Sequence, residues 1–317
     1  MAVFESTGNW ISAFAPATIA NVACGFDIMG FAIDEPGDII SVRKKESAGV
    51  SIAEIIGDDG KLPTGAEANT ASVAVIEFLK GAGISYGVEI KIHKQIPMGS
   101  GLGSSAASPA AAVLATNELF NRPFSRKALL PFAVKGEEVA SNAIHADNVG
   151  PSLLGGFTLI RGYNPIDIIH LNVPIDLACA VVLPQVEIRT SEARGMLPSD
   201  IPLKTAITQW GNVGGLVAGL QMSDYDLIGR AIQDVVAEPI RRTLIPGYES
   251  IKSAAMKAGA LGCSISGSGP AVFALCKGRQ TAQSVGYEMF SILDEMGVQC
   301  KLYVSSINQK GARIITT

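Results

Sequence analysis

The chain has 317 residues, 48% hydrophobic and 17% charged, enough for a sizeable core in one large or two ordinary domains and a poor match to disorder. A net charge of −4, with 25 Lys+Arg and 6% aromatics, argues against a nucleic-acid binder, which needs a basic stripe or stacking platforms. Five cysteines without a Cys-x-x-Cys pair, and three histidines, give no zinc pattern and point to a reducing, cytoplasmic compartment.

From the N-terminus, the apolar stretch 11–24 lacks preceding Lys or Arg and is interrupted by Pro16 and Asn21, so it is not a signal peptide. No later run has the length of a membrane span. Trp10 to Thr18 reads as a strand entering a turn at Ala15-Pro16-Ala17. In the segment Asn21 to Gly30, Asn21 and Asp27 stand among small and apolar neighbours and need partners there. Asp38–Lys45 and Val50–Ile56 read as strands, and Asn69–Leu79 as a helix. Val88 to His93 alternates apolar and polar residues, as a half-buried strand does.

A loop of three alternating glycines follows, Pro97-Met98-Gly99-Ser100-Gly101-Leu102-Gly103-Ser104-Ser105-Ala106-Ala107. After it, Ala106 to Phe120 reads as a helix with Ser104 or Ser105 as N-cap and an irregular start at Pro109. Strand, glycine loop and helix together make a phosphate cradle. Glycine admits a ligand to the backbone, and the helix N-terminus offers unpaired N–H groups. A Walker A loop would need a lysine after its second glycine, and none occurs between Lys94 and Lys127. A dinucleotide fingerprint would need a different glycine spacing. It would also need a strand buried on both faces, where Glu89, Lys91 and His93 give this one a wet face.

Downstream, a helix disturbed by Pro131 runs from the Ser125 cap to about Asn142 and carries Glu137. His145 to Pro151 reads as a polar loop before a strand at Phe157–Ile160. The pattern changes around 164–174, which places a domain boundary near 170 without a linker. Leu177–Leu183 is a buried strand, and Thr190 caps a short helix bearing Arg194. Helices are expected at 203–221, 224–236, 246–258 and 281–296. Strand, glycine turn and strand are expected over Cys263 to Leu275, and a last strand at 299–305. The mixture indicates α+β sheets with helices on one side.

Pro97 to Ala106 resembles the P-x-x-x-G-L-G-S-S-A loop of the GHMP small-molecule kinase superfamily. Ser-Ile-Ser-Gly-Ser-Gly-Pro-Ala at 264–271 resembles its C-terminal turn. Within the superfamily the chain is most similar to the homoserine kinases. The similarity lies in Asn21 through Gly30, in His145-x-Asp147-Asn148-Val149-x-Pro151, and in Glu238-Pro239-x-Arg241. Ala23-Cys24 departs from the Gly-Pro common in the first of these. The resemblance implies two domains, 1–170 like ribosomal protein S5 domain 2 and 171–317 ferredoxin-like. It implies ATP, Mg2+, and phosphorylation of the side-chain hydroxyl of L-homoserine on the way to threonine, by a homodimer. It assigns Pro97 through Ala107 to ATP, and Glu137 with Ser104 to the metal. Asn21, Asp27, Asn148, Thr190, Arg194 and Arg241 go to the substrate. Asn148 and His145 position the reacting groups, with either Asp147 or no residue as base. Other kinases of the superfamily, a non-catalytic nucleotide sensor and an NAD-dependent dehydrogenase are the competing readings.

Overall fold

The structure, a computed structural model, describes residues 10–141, 145–188 and 190–316, with Ala140, Ser141 and Thr190 described by backbone alone. Strand β1 (Ile11–Ala20) is buried along its length and runs straight through Pro16, where a turn was expected. The proline sits at a register shift against β2 (Met29–Lys45), where its missing N–H is tolerated. β3 (Val50–Ile56) lies parallel to β4 (Gly87–His93), joined by the crossover helix α1 (Thr70–Ala82). Asn69 caps α1, its Oδ1 accepting from Ala71 N–H at 3.0 Å.

Helix α2 (Ser104–Leu119) is continuous through Pro109 and so rich in alanine that β1, β2, α1 and α3 (Leu130–Ser141) all pack closely against it. A 3-10 turn at Arg126–Leu129 precedes α3, which starts next to Pro131, the position where proline suits a helix. α4 (Ala146–Leu154) replaces the loop expected at His145–Pro151. Ala146, Val149 and Leu153 share its buried face, and Gly155 ends it. β5 (Phe157–Tyr163) pairs with the start of β2, and β6 (Ile166–Leu171) pairs with β5.

The second half comprises β7 (Leu177–Pro184), α5 (Thr190–Gly195), α6 (Leu203–Met222), α7 (Tyr225–Ala231), α8 (Glu238–Arg241) and α9 (Tyr248–Lys257). It continues with β8 (Gly262–Ile265), β9 (Val272–Lys277), α10 (Arg279–Glu295), β10 (Cys300–Ser306) and β11 (Arg313–Ile315). The helix expected over 224–236 stops at Ala231 because the Asp234 carboxylate takes the N–H groups of Val236, Ala237 and Glu238.

β7 to β10 form an antiparallel sheet in the order β10-β7-β9-β8, with α9 and α10 on one face, the ferredoxin-like arrangement. β7, β8 and β9 are buried on both faces, whereas the edge strand β10 is half-buried. Leu177, Cys179, Val181 and Leu183 join the core shared with the first sheet, where Phe31 meets Phe273 at 6.1 Å between ring centroids. Ala178, Ala180 and Val182 face α9 and α10. The first sheet runs β11-β1-β2-β4-β3, so its edge strand comes from beyond the 170/171 division. Among the described residues no helix is long and apolar enough to cross a membrane.

Candidate active site

A cleft of about 570 Å³ opens between the glycine loop, α3, α4, α5 and the 267–268 turn. Gly99, Gly101 and Gly103 all hold left-handed backbone, at φ 67°, 76° and 70°. Space also requires two of them. A Cβ on Gly101 would stand 2.4 Å from the Ser266 carbonyl oxygen, and one on Gly103 2.1 Å from Thr18 Oγ1. These glycines therefore let the loop lie against the 266–269 turn and against β1, rather than only clearing room for phosphate. Gly103 itself is the N-cap of α2 and brings no side-chain bond, where Ser104 or Ser105 was expected. No capping side chain therefore takes up the amides of Ser104 and Ser105 at the start of the helix, which face the cleft as donors for a ligand.

Met98 to Gly101 and Gly103 to Ser105 line the cleft. Four other expected ATP residues do not. Pro97 stands outside it, Leu102 is core, and the amides of Ala106 and Ala107 are spent on Gly103 O. Ser104 also departs from expectation. Its hydroxyl donates to Ile96 O at 2.9 Å, away from Glu137, whereas Ser105 Oγ donates to Glu137 Oε1 at 3.0 Å. Behind the loop, the side chains of Lys94 and Asp38 pair with 2% and 0% exposure. Lys94 Nζ also donates to Ser104 O, and Asp38 Oδ1 accepts the amides of Gln95 and Ile96. This ion pair fixes the start of α2 to β2 and β4.

Glu137 is buried, and one of its carboxylate oxygens, Oε2, has no partner. A carboxylate oxygen left bare beside a phosphate-type loop fits magnesium, which takes one or two carboxylates and completes its shell with phosphate and water. Glu137, with the Ser105 hydroxyl, would hold it. Among the described residues no group of three or more His, Cys, Asp or Glu could hold a metal ion. Oε1 lies 3.3 Å from His145 Nδ1, and His145 Nε2 lies 3.3 Å from Arg194. Burial works against the charged imidazole, but the Glu137 bond and the charges of Asp147, Glu137 and Asp27 prevail and raise its pKa. Asp147 is buried on α4 with Oδ1 unpartnered. Burial first, then the Asp27 charge, push its carboxyl up to about 7. Asn148 Oδ1 accepts from Thr18 Oγ1 at 2.8 Å, which leaves the amide nitrogen as the end available to the cleft.

The substrate residues gather at the opposite end. Asn21, Val22, Ala23 and Asp27 all have positive φ, a strained run for residues with side chains. Asn21 lines the cleft but holds this loop together, its Oδ1 accepting Asp27 N–H and its Nδ2 donating to Gly267 O. Both ends of its amide are engaged, so the expected partner of the substrate is chiefly a scaffold. Asp27 and Arg194 meet directly, with Nη2 at 2.8 Å from both carboxylate oxygens. Arg241 donates to Ala193 O and Gly267 O, each at 3.1 Å. The guanidinium carbons of Arg241 and Arg194 stand 5.1 Å and 5.8 Å from the centre of the Phe26 ring. Thr190 opens α5, and its side chain lies outside the described residues. Sequence reasoning missed Lys94, Asp38, Thr18 and Phe26 as contributors. Phe26 stands inside the Asn21–Gly30 motif and Thr18 at the end of the first expected strand, and neither position signals a role by itself.

A phosphate loop, a lone carboxylate for a metal and a charged pocket define a small-molecule kinase, and the chain belongs to the GHMP kinases. The family models for the GHMP kinases N terminal domain and the GHMP kinases C terminal match residues 69–156 and 216–293. Homoserine kinases are among its curated relatives. That of Chlorobaculum tepidum is 50% identical, covering 97% of this chain and 98% of its own, and that of Chloroherpeton thalassium is 45% identical over 96% and 99%. The crystal structure of homoserine kinase from Cytophaga hutchinsonii superposes with a TM-score of 0.95 at 50% identity, over 99% of this chain and 100% of that one. A Leishmania major mevalonate kinase in complex with R-mevalonate, 16% identical at a TM-score of 0.70, shares the fold.

Proposed function

We propose that the protein transfers the γ-phosphoryl group of ATP to the side-chain hydroxyl of L-homoserine, giving O-phospho-L-homoserine for threonine biosynthesis. The observation that carries the reading is the pocket of both signs, Asp27 beside Arg194 and Arg241, facing a glycine loop across one cleft. An α-amino acid brings an ammonium and a carboxylate on one carbon. Asp27 accepts the first, and the arginines take the second with their planar forks. Mevalonate or a sugar would leave Asp27 without a cation. The 50%-identical homoserine kinases support the same assignment.

Phosphoryl transfer through a loose transition state depends on positioning and charge stabilisation more than on covalent help from the protein. Loop and α2 amides hold the phosphates. Glu137, with the Ser105 hydroxyl beside it, would hold magnesium, whose chemistry there would be neutralisation of phosphate charge. Asn148, its carbonyl held by Thr18, presents an N–H to the reacting oxygen and orients it without taking its proton. His145, between Glu137 and Arg194, keeps the metal side and the substrate side in register. The free cysteines, four of them buried, accord with a cytoplasmic enzyme. The apolar face of α6, with Leu203, Ile207 and Trp210 exposed, is where we place a homodimer contact.

Coupled measurement of ADP release with L-homoserine, mevalonate and galactose tests the reading. Homoserine alone should drive turnover, and ADP release that ignores homoserine would reject it.

A further inference from the structure

Gln209 lies on the inner face of α6, outside the cleft, with 8% of its surface exposed. Its amide uses both ends. Nε2 donates to Cys24 O at 2.9 Å and to Asp234 Oδ1 at 3.1 Å, while Oε1 accepts Val235 N–H at 3.0 Å. Asp234 in turn gathers the amides of Val236, Ala237 and Glu238 at 2.8–3.0 Å, which set the entry into α8. α8 ends at Arg241. Cys24 belongs to the left-handed loop that runs from Asn21 to Asp27. One buried amide therefore ties the segment bearing Asp27 to the segment bearing Arg241.

A strained backbone persists only where its surroundings over-determine it. The 21–27 loop has few such holds. Asn21 reaches Gly267 O, Tyr163 OH reaches Asp27 O, and Gln209 reaches Cys24 O. Of these three hydrogen bonds the last alone reaches α6, and through Asp234 the start of α8, whose far end meets the loop at the Phe26 ring.

We propose that Gln209 is a positioning residue for the substrate pocket, setting the separation between Asp27 and Arg241. The proposal rests on the homoserine reading of that pocket. The amide is required for its mixed chemistry. A glutamate would turn both donors into acceptors and face Asp234 with a like charge. A leucine would leave Cys24 O and Val235 N–H buried without partners. Gln209 touches neither the glycine loop nor Glu137, so its loss is felt on the amino-acid side alone.

The test is steady-state kinetics and homoserine calorimetry on Gln209→Glu and Gln209→Leu, with melting curves. The homoserine KM and Kd should rise together by about tenfold or more, while the ATP KM stays within about twofold, since a small misplacement of charged partners is enough for such a loss. A merely structural residue would lower the amount of active enzyme and leave both KM values alone. Asn212→Ala, which on the same helix breaks only the 3.0 Å bond to Gln233 O, should change neither KM. If Gln209→Leu fails to fold, Gln209→Glu, which keeps the volume and the Val235 acceptor, decides. A parent enzyme that phosphorylates homoserine, with an unchanged homoserine KM in the folded variants, overturns the proposal. A parent that ignores homoserine rejects the reading of the site instead.

Discussion

Asp27 and Arg194 neutralise each other, with 30% and 41% of their side chains exposed. An arriving zwitterion exchanges that one pair for two. Asp27→Asn and Arg194→Leu should therefore each raise the homoserine KM on the order of 10- to 150-fold, the worth of one charged hydrogen bond, with the ATP KM nearly constant. The double variant should lose less than the sum, because the two groups share a partner. A homoserine analogue without its amino group should be a poor substrate for the parent and lose little more with Asp27→Asn. Full activity on that analogue would remove Asp27 from ammonium binding. At the metal end, Glu137→Gln should reduce turnover chiefly through weaker magnesium binding, so excess magnesium should restore part of it. Normal magnesium affinity in that variant would make Glu137 structural. Asp27, Asn148 and Arg241 were legible in the sequence through motifs of fixed spacing, Glu137 and Arg194 through the family resemblance alone, and all five line the cleft. Thr18, Lys94 and Gln209 were not, because a buried polar partner is defined by what folds against it and leaves no local pattern.

Among the elements, strands and helices with clear periodicity were legible, β3 and β4 to within one residue and α1 to within three. The failures share a cause in tertiary context. α4 was read as a loop from its polar residues and its proline. Pro151 lacks the N–H that would cap Asp147 O, and that carbonyl lies against Gly30, where a Cβ would be 1.9 Å away. The helix survives because a distant glycine makes room. Gly103 shows the same dependence. Gly103→Val should abolish ATP binding, by calorimetry, through collision with Thr18 and Asn148 and an unfavourable left-handed φ. Unchanged ATP affinity would remove the loop from the site. Asp147 on α4 carries a pH signature. Its folded pKa of about 7 lies above the ordinary aspartate value of 3.8, so the folded state holds the proton more tightly. The stability from this group is complete below about pH 4 and is lost as pH rises through about 7. His145 is shifted in the same direction and adds to the trend. In metal-free protein, Asp147→Asn should flatten the fall in Tm between about pH 4 and 7. An equally steep fall in the variant would assign the dependence to other groups.

At the scale of the whole molecule, the two-sheet organisation was legible from the order of strands and helices, but the way the sheets are stitched was not. β11 is three residues long, too short for a periodic signal, and its role is visible only from its partners. It pairs with β1 over Ser12 to Phe14, and the Arg313 guanidinium stands 4.1 Å from the centre of the Phe14 ring. Just before it, Arg126 donates to Lys310 O and Ala312 O at 2.6 and 2.8 Å, and Gly311 packs where any Cβ would meet Gly155 N at 2.3 Å. The chain thus leaves the second sheet at β10 and is fastened to the first. β1 also supplies Thr18, which holds Asn148, and leads into the Asn21 loop. Its outer edge is otherwise open to solvent and to pairing with other chains. Arg126→Ala removes two charged hydrogen bonds and should destabilise the protein by about 1–3 kcal/mol. Removal of residues 312–317 should cost more and raise the tendency to aggregate. Because β8, β9 and the 267–270 turn do not depend on β11, the second sheet should keep its order. Hydrogen exchange on the truncated protein should therefore speed up in β1 and α4 while β7 to β9 stay protected. Uniform acceleration across both sheets would show that they unfold as one unit, with the shared core around Phe31 and Phe273, rather than the C-terminal strand, governing their cooperativity.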